Sequence, residues 1–249
     1  MIDILHENGP CFVVNKPTGV LTQAPPNIDS IERRMKDFLR HREGKTGNVY
    51  LGVPHRLDRP VSGTLILCRH ARAARRISEQ FEARTIRKIY HTLVAGYVAE
   101  DSGTWTDFMR KVPGEAMSEF VPADHPEARE AVLHYCVLRR VTSATTATVA
   151  ATLLEIELET GRMHQIRLQC GGRGHAIHGD AQYGSTIPFG DPCDDLRLRP
   201  IALHAHRIIF RHPSPEHTLT DITAPKPAPW NTWLPEPDIL LPTRQNDHS

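Results

Sequence analysis

An α+β fold around a mixed, mostly antiparallel sheet is what this 249-residue chain predicts. Three observations point there. Strand-like segments come in runs rather than in strict alternation with helices. Hydrophobic residues make up 39% and charged residues 24%, enough for a core and unlike a disordered chain. No internal repeat and no linker divides the chain, so residues 1–230 are expected to form one domain, followed by a Pro-rich polar tail over 231–249.

The elements follow in order. Ile2 to His6 and Cys11 to Asn15 flank Glu7-Asn8-Gly9-Pro10, and Asn-Gly between apolar runs predicts a tight hairpin. Lys16-Pro17-Thr18-Gly19 then breaks the second strand. Residues 28–42 carry Ile28, Ile31, Met35, Phe38 and Leu39 at helical spacing, and Gly44 to Asn48 is a loop. Thr64 to Cys68 reads as a buried strand. His70 to Ala83 reads as a helix with Ala74, Ile77 and Phe81 on one stripe. Lys88 to Ala95 is β-rich, and residues 101–130, with no clean period, are expected to be an irregular insertion. Ala131 to Leu138 and Thr148 to Glu159 are two further strands. In the second, Leu154, Ile156 and Leu158 alternate with Glu155, Glu157 and Glu159, marking one buried and one wet face. Gly161 to Cys170 suggests a short helix entered from a turn, and Ile201 to Phe210 a long strand. Beyond Pro213, prolines recur without periodicity, so that stretch is expected to drape over the surface.

The formal charge is only +1, which argues neither for nor against a polyanionic partner. Its distribution says more. Arg69 to Lys88 holds seven Arg or Lys against two Glu, and Arg33 to Lys45 six against two acids. Such clusters can follow a phosphate backbone, although solvated helix faces are the plainer reading. The five cysteines are scattered and form no C-x-x-C pair, which suits a reduced protein rather than a disulfide or zinc framework. Cys11, Cys68 and Cys136 lie in strand-like runs and are expected to fill the core. No signal sequence is evident and no apolar stretch approaches the roughly 20 residues of a membrane helix. A cytoplasmic location is therefore expected.

The most telling stretch is Val53-Pro54-His55-Arg56-Leu57-Asp58-Arg59-Pro60-Val61-Ser62-Gly63-Thr64-Leu65-Ile66-Leu67. It presents one carboxylate between two arginines, ahead of a Ser-Gly turn and a short strand. Neighbouring cations favour the anionic form, which suits a nucleophile. This stretch resembles the catalytic-aspartate motif of the RluA-type RNA pseudouridine synthase family. Further segments extend the resemblance in family order. They are Phe12 to Leu21 with its Asn15-Lys16-Pro17-Thr18-Gly19, Lys88 to Gly96, Leu158 to Leu168 with Arg162-Met163-His164-Gln165-Ile166-Arg167, Gly174 to Gly184, and Leu203-His204-Ala205. The resemblance spans residues 4 to 227, nearly the whole length of the chain. One departure is Val61, where the family usually has threonine. The family's optional N-terminal RNA-binding domain is not matched.

The resemblance implies a catalytic domain with a cleft across its sheet and isomerisation of uridine to pseudouridine in ribosomal or transfer RNA. It assigns Asp58 as nucleophile or base, Arg167 as its ion-pair partner and Tyr90 as the ring that stacks on the detached uracil, with the Tyr90 hydroxyl a further candidate for removing the C5 proton. Arg56, His55, Arg59, Lys16 and Leu168 are the implied substrate-binding residues, with Arg56 either filling the space a flipped base leaves or holding the rearranged loop. The reaction needs no redox change and no energy input, so no cofactor and no metal are expected. RNA is the expected partner, with no membrane, no obligate protein partner and a monomeric state. Whether Asp58 attacks the anomeric carbon or takes the 2′ proton stays open. A non-catalytic RNA-binding module is the main alternative. A metallohydrolase lacks ligand spacing among the histidines, and a nucleoside hydrolase lacks a second acid at a recognisable spacing.

Overall fold

The computed structural model describes residues 2–142, 150–195 and 197–234. A ten-stranded sheet organises them, with three α-helices. Strands β1 (Asp3–Asn8) and β2 (Cys11–Lys16) form the opening hairpin, turning at Gly9, whose φ is +47°. Helix α1 (Ile31–Glu43) follows. It starts later than the spacing predicted because Ser30 caps it: the Ser30 hydroxyl accepts the Arg33 N–H, and Ile28 stays exposed outside the helix. It ends at Gly44, left-handed at φ +62°. Strand β3 (Ser62–Cys68), helix α2 (Ala71–Glu82) and strand β4 (Arg87–Ala95) come next, close to prediction.

Residues 101–130 are not an irregular insertion. They hold β5 (Ser102–Lys111) and β6 (Ser118–Phe120), which extend the sheet outward from β7 (Arg129–Thr142). In β5 only Trp105 and Met109 are buried, so the period-2 signal is faint and cross-strand pairing makes the strand. Strand β8 (Ala150–Leu158) shows the buried and wet faces expected, and residues 148–149 of that expectation lie outside the described residues. Helix α3 (Gln165–Gly171), β9 (Leu203–Arg211) and β10 (Leu219–Thr223) complete the set.

The spatial order is β1-β2-β3-β9-β4-β8-β7-β5-β6, with β10 pairing the distal half of β9. Every pairing is antiparallel except β3 with β9, which meet over Ser62↔His204 and Gly63↔Ala205. Gly63 is at φ +115°, and a Cβ there would lie 2.2 Å from the Ala205 carbonyl oxygen. The chain therefore enters β3 through a point only glycine can occupy.

Both faces of β2 and β3 are covered. Cys11, Val13, Ile66 and Cys68 pack toward Ala73 and Ile77 of α2. Phe12, Val14, Leu65 and Leu67 belong to the main core with Ile31, Met35 and Leu39 of α1. Cys136 corrects the cysteine reading: it is exposed, while Cys170 is buried. On β7 the even-numbered Cys136 takes the wet face opposite Leu133 and Tyr135.

The stretch after Pro213 is also more ordered than its prolines suggested. Beyond β10, a 3-10 turn over Ala228–Thr232 sinks Trp230 into the core, edge-on to Phe189 at 5.5 Å. Leu234 is buried beside it. Residues 235–249 of the expected tail lie outside the described residues.

The α1 cations are spent locally. Arg33 and Arg40 pair with Asp37, Arg34 with Asp29, Lys36 with Glu32, Arg42 with Glu7 and Lys45 with Glu43. That face is close to self-neutral, so the solvated-face reading prevails there.

Four histidines are held neutral by the fold. Burial pushes His178 and His204 down to about 4, and His55 and His206 down to about 3. Their folded pKa values are depressed, so the stability they contribute is present above about pH 6.5 and is lost as pH falls toward 4, where only the unfolded chain takes up protons. The fully buried pair, His178 and His204, would each cost up to about 2 kcal/mol at pH 5. The urea midpoint should therefore drop steeply between pH 7 and 5 and change little from pH 7 to 8. A midpoint flat down to pH 5 would contradict this account.

Candidate active site

The loop that carries Asp58 is braced from behind by the N-terminal segment. Thr22 clamps Leu57: its hydroxyl accepts the Leu57 N–H at 3.1 Å and donates to the Leu57 carbonyl at 2.9 Å. Gly19 and Arg59 bond reciprocally. The Gly19 N–H donates to the Arg59 carbonyl at 2.9 Å, and the Arg59 Nε donates to the Gly19 carbonyl at 2.8 Å. The Lys16 ammonium is fully buried and donates to the carbonyls of Pro17 and Val20, both at 2.8 Å, and of Arg59 at 3.2 Å. Burial pushes its pKa down to about 7, against the pull of the Asp58 charge. The Asn-Lys-Pro-x-Gly motif is thus a strut for the loop. Lys16, expected to bind substrate, has no donor left and no open surface.

The loop closes on itself through the Val61 N–H, which donates to the Asp58 carbonyl at 3.1 Å. Val61 is buried in the core, so packing and a backbone bond support the turn where the family usually has a hydroxyl. His55 holds the next strand: its Nε2 accepts the Ile66 N–H at 2.8 Å and its ring lies 4.6 Å from Phe81. Its ring still lines the cleft, but the nitrogen is committed to backbone.

Asp58 sits where two cavities meet. One, of about 740 Å³, is lined by Arg56, Arg59, Met163, Gln182, Arg199 and others. The second, of about 300 Å³, is lined by Tyr90, Lys88, Leu158, Ile166 and Leu203 among others. Asp58, Arg56, His164 and Arg167 border both. Arg56 is exposed at this junction and makes no ion pair or hydrogen bond among the described residues. Leu168 borders neither. It lies one residue past Arg167 on α3, which turns it to the other side, against Met109, Ala131 and Tyr183.

Tyr90 is delivered by a register shift in the β4–β9 pairing between Ile89 and Tyr90, which turns its ring into the smaller cavity. Burial, and then the Asp58 charge, raise its hydroxyl pKa above the ordinary tyrosine value, so it stays protonated.

Arg167 is 5% exposed and divides its donors between two carboxylates. Nε and Nη2 reach the Asp180 oxygens at 2.6 and 2.7 Å, Nη2 also reaches Gln182 at 2.9 Å, and Nη1 approaches Asp58 Oδ2 at 3.7 Å. Its guanidinium also lies over the Tyr183 ring, 5.0 Å from the centroid. Burial works against the charge, but the bonds to Asp180 outweigh it and hold the Arg167 pKa above the usual arginine value. The expected Asp58–Arg167 pair is therefore present as the looser of two. The tighter partner, Asp180, lies within the matched segment Gly174 to Gly184, where sequence alone gives it no distinguishing signal.

His164, from the same motif as Arg167, approaches the same Asp58 oxygen, with Nε2 at 3.6 Å. Its backbone is left-handed at φ +54°, a strained choice for a side chain of this size and one that turns the ring into the cleft at the start of α3.

Residues 10–171 match the family described as RNA pseudouridylate synthase. Among known proteins, tRNA pseudouridine synthase C of Yersinia pestis is 30% identical over 92% of this chain and 88% of its own length. Ribosomal large subunit pseudouridine synthase D of Xylella fastidiosa is 30% identical over 85% of this chain and 62% of its own. An uncharacterized RNA pseudouridine synthase of Synechocystis is 29% identical over 91% of this chain, which spans 66% of that relative. Among solved structures, human RNA pseudouridylate synthase domain containing 4 shares the fold with a TM-score of 0.70 at 21% identity, covering 91% of this chain and 89% of that one.

Removing the Asp180 carboxylate leaves a buried guanidinium short of its main partner, at a cost of about 3–5 kcal/mol. Asp180→Ala should lower the urea unfolding free energy by that amount, whereas Asp37→Ala on the exposed face of α1 should shift it by under about 1 kcal/mol. Equal effects from the two would show that the Arg167–Asp180 pair carries no special weight.

Proposed function

The chain belongs to the RNA pseudouridylate synthase family, and on that premise we propose that it isomerises uridine in structured ribosomal or transfer RNA through Asp58. The observation that carries this reading is the convergence of Asp58, Arg167 and Tyr90, from three distant parts of the chain, on two joined cavities.

The division of labour follows from the geometry. The nearest approaches to the Asp58 carboxylate, from His164 Nε2 and Arg167 Nη1, are both to Oδ2, so Oδ1 is the oxygen farther from both nitrogens. Oδ1 is therefore the oxygen presented to the ribose, either to attack the anomeric carbon or to take the 2′ proton. In either route the C1′–N1 bond breaks with its electron pair on the uracil and the base turns. C5 then bonds to C1′, displacing Oδ1 or with the 2′ proton returned, while the C5 proton leaves to solvent and N1 takes one up. The smaller cavity suits the base. Tyr90 supplies a ring to stack on it, with Leu158, Ile166 and Leu203 completing an apolar wall. Burial raises the Tyr90 hydroxyl pKa, which favours the ring over a phenolate base as its contribution. Arg56, exposed and unpaired at the junction of the cavities, is placed to enter the stack as the target nucleotide leaves it.

RNA contact belongs to the rim of this cleft, where Arg56, Arg59, Lys88, Arg162 and Arg199 line the cavities. The face of α1, whose cations are already paired, is a poor phosphate track.

Tritium release from RNA labelled at uridine C5 tests the reaction. Wild type should release label from ribosomal or transfer RNA, and Asp58→Asn should release none while binding RNA as tightly. Binding without release by either form would favour the non-catalytic binding module. Salt dependence tests the surface. Lys88→Glu and Arg199→Glu should each weaken binding and reduce the log–log salt slope by about 1. Arg34→Glu on α1 should leave the slope unchanged, and an equal effect there would return α1 to the RNA interface.

A further inference from the structure

The hydrogen bonds around Tyr183 bear on which nitrogen of His164 carries its proton. The Tyr183 hydroxyl oxygen accepts the Ser118 N–H at 2.9 Å. Its own hydrogen has two acceptors in reach, His164 Nδ1 at 3.0 Å and the Ser118 carbonyl at 3.5 Å. Donation across the shorter contact, from Tyr183 to Nδ1, places the ring proton on Nε2. The opposite tautomer would aim an Nε2 lone pair at the Asp58 carboxylate, 3.6 Å away, and leave Tyr183 only the long bond to Ser118. Both considerations point the same way. Ser118 is itself fastened, its hydroxyl donating to the Met163 carbonyl at 2.8 Å, so the β6 edge strand and the turn before α3 move as one unit.

We propose that His164 is a positioning residue for Asp58: a neutral ring whose Nε2–H, selected by Tyr183, joins Arg167 in holding Oδ2 and so presents Oδ1 to the ribose. The charged and titratable groups facing the ring are Asp58, Arg167, Asp180, Arg56 and Tyr183. Burial lowers the His164 pKa despite the pull of Asp58, and Arg167 adds to the lowering, consistent with a neutral ring near pH 7. The strained left-handed backbone at His164 and the placement of its ring against Asp58 occur at the same residue.

The catalytic half of this inference rests on the isomerase reading, whereas the tautomer does not. Nitrogen-15 spectra of histidine-labelled protein at pH 7.5, with the His164 signals assigned by their loss in His164→Gln, read the tautomer directly. The expected pattern is a protonated Nε2 and a bare Nδ1 in wild type, with a mixture in Tyr183→Phe. A protonated Nδ1 in wild type would overturn the proposal whatever the activity.

Tritium-release kinetics then form a cycle. His164→Phe should lower kcat roughly 10–100-fold with RNA affinity retained. His164→Gln should keep most of kcat, because its amide presents a donor near the Nε2 position without a tautomer to choose. Tyr183→Phe should lower kcat roughly tenfold in the wild-type background but have little effect when combined with His164→Gln. The same loss in both backgrounds would mean that Tyr183 merely packs, and would overturn the proposal. Inactivity of wild type on every RNA would instead count against the isomerase reading, with the tautomer still decided by the spectra.

Discussion

The site is organised by one guanidinium shared between two carboxylates. Arg167 is closed off from water, and a buried arginine is tolerable only when its donors are met. Asp180 meets two of them in fork geometry and Gln182 a third contact, which leaves Nη1 aimed at Asp58. The tight pair acts as an anchor and the loose one as a working contact. Had Asp58 been the bidentate partner, both its oxygens would be tied up and neither would face a substrate.

Support for this arrangement comes from opposite sides. On the Arg167 side, Tyr183 lies beneath the guanidinium, bonds His164 and receives the Ser118 N–H. On the Asp58 side, Lys16, Gly19 and Thr22 tie the loop to the strand pair β2–β3, the most fully covered part of the sheet. A carboxylate proposed to act on substrate needs its direction held to within about half an ångström. Here that rigidity comes from a lysine and a threonine that themselves touch no cleft surface or only its edge.

Much of the fold was legible because local signals agreed with the tertiary outcome. The Asn-Gly turn, the α1 and α2 stripes, and the alternation of Leu154, Ile156 and Leu158 each identify an element through its own residues. Where the signal lay in a partner strand, reading failed. Residues 102–111 bury too little to show a period and are a strand because β7 pairs with them. Trp230 gave no periodic cue and is buried because Phe189 and His204 form a slot for it. The basic stretch at 33–45 resembles a phosphate track in sequence, but its acids, one of them Glu7 on β1, lie alongside in space. Cys136 reads as inward from its strand-like run, and the pleat turns it outward.

By itself the sequence determined the α+β class and the family, and it singled out Asp58, Tyr90 and Arg167 as candidates, because each sits in a contiguous motif. Which contacts those residues make was decided only in three dimensions. That Arg167 bonds Asp180 more closely than Asp58, that Lys16 braces rather than binds, that Leu168 faces the core and that His164 faces Asp58 all depend on distance and direction between segments far apart in the chain. Electrostatic and hydrogen-bond energies fall off steeply over an ångström or two. A linear order of residues carries no such distances, and the packed sheet supplies them.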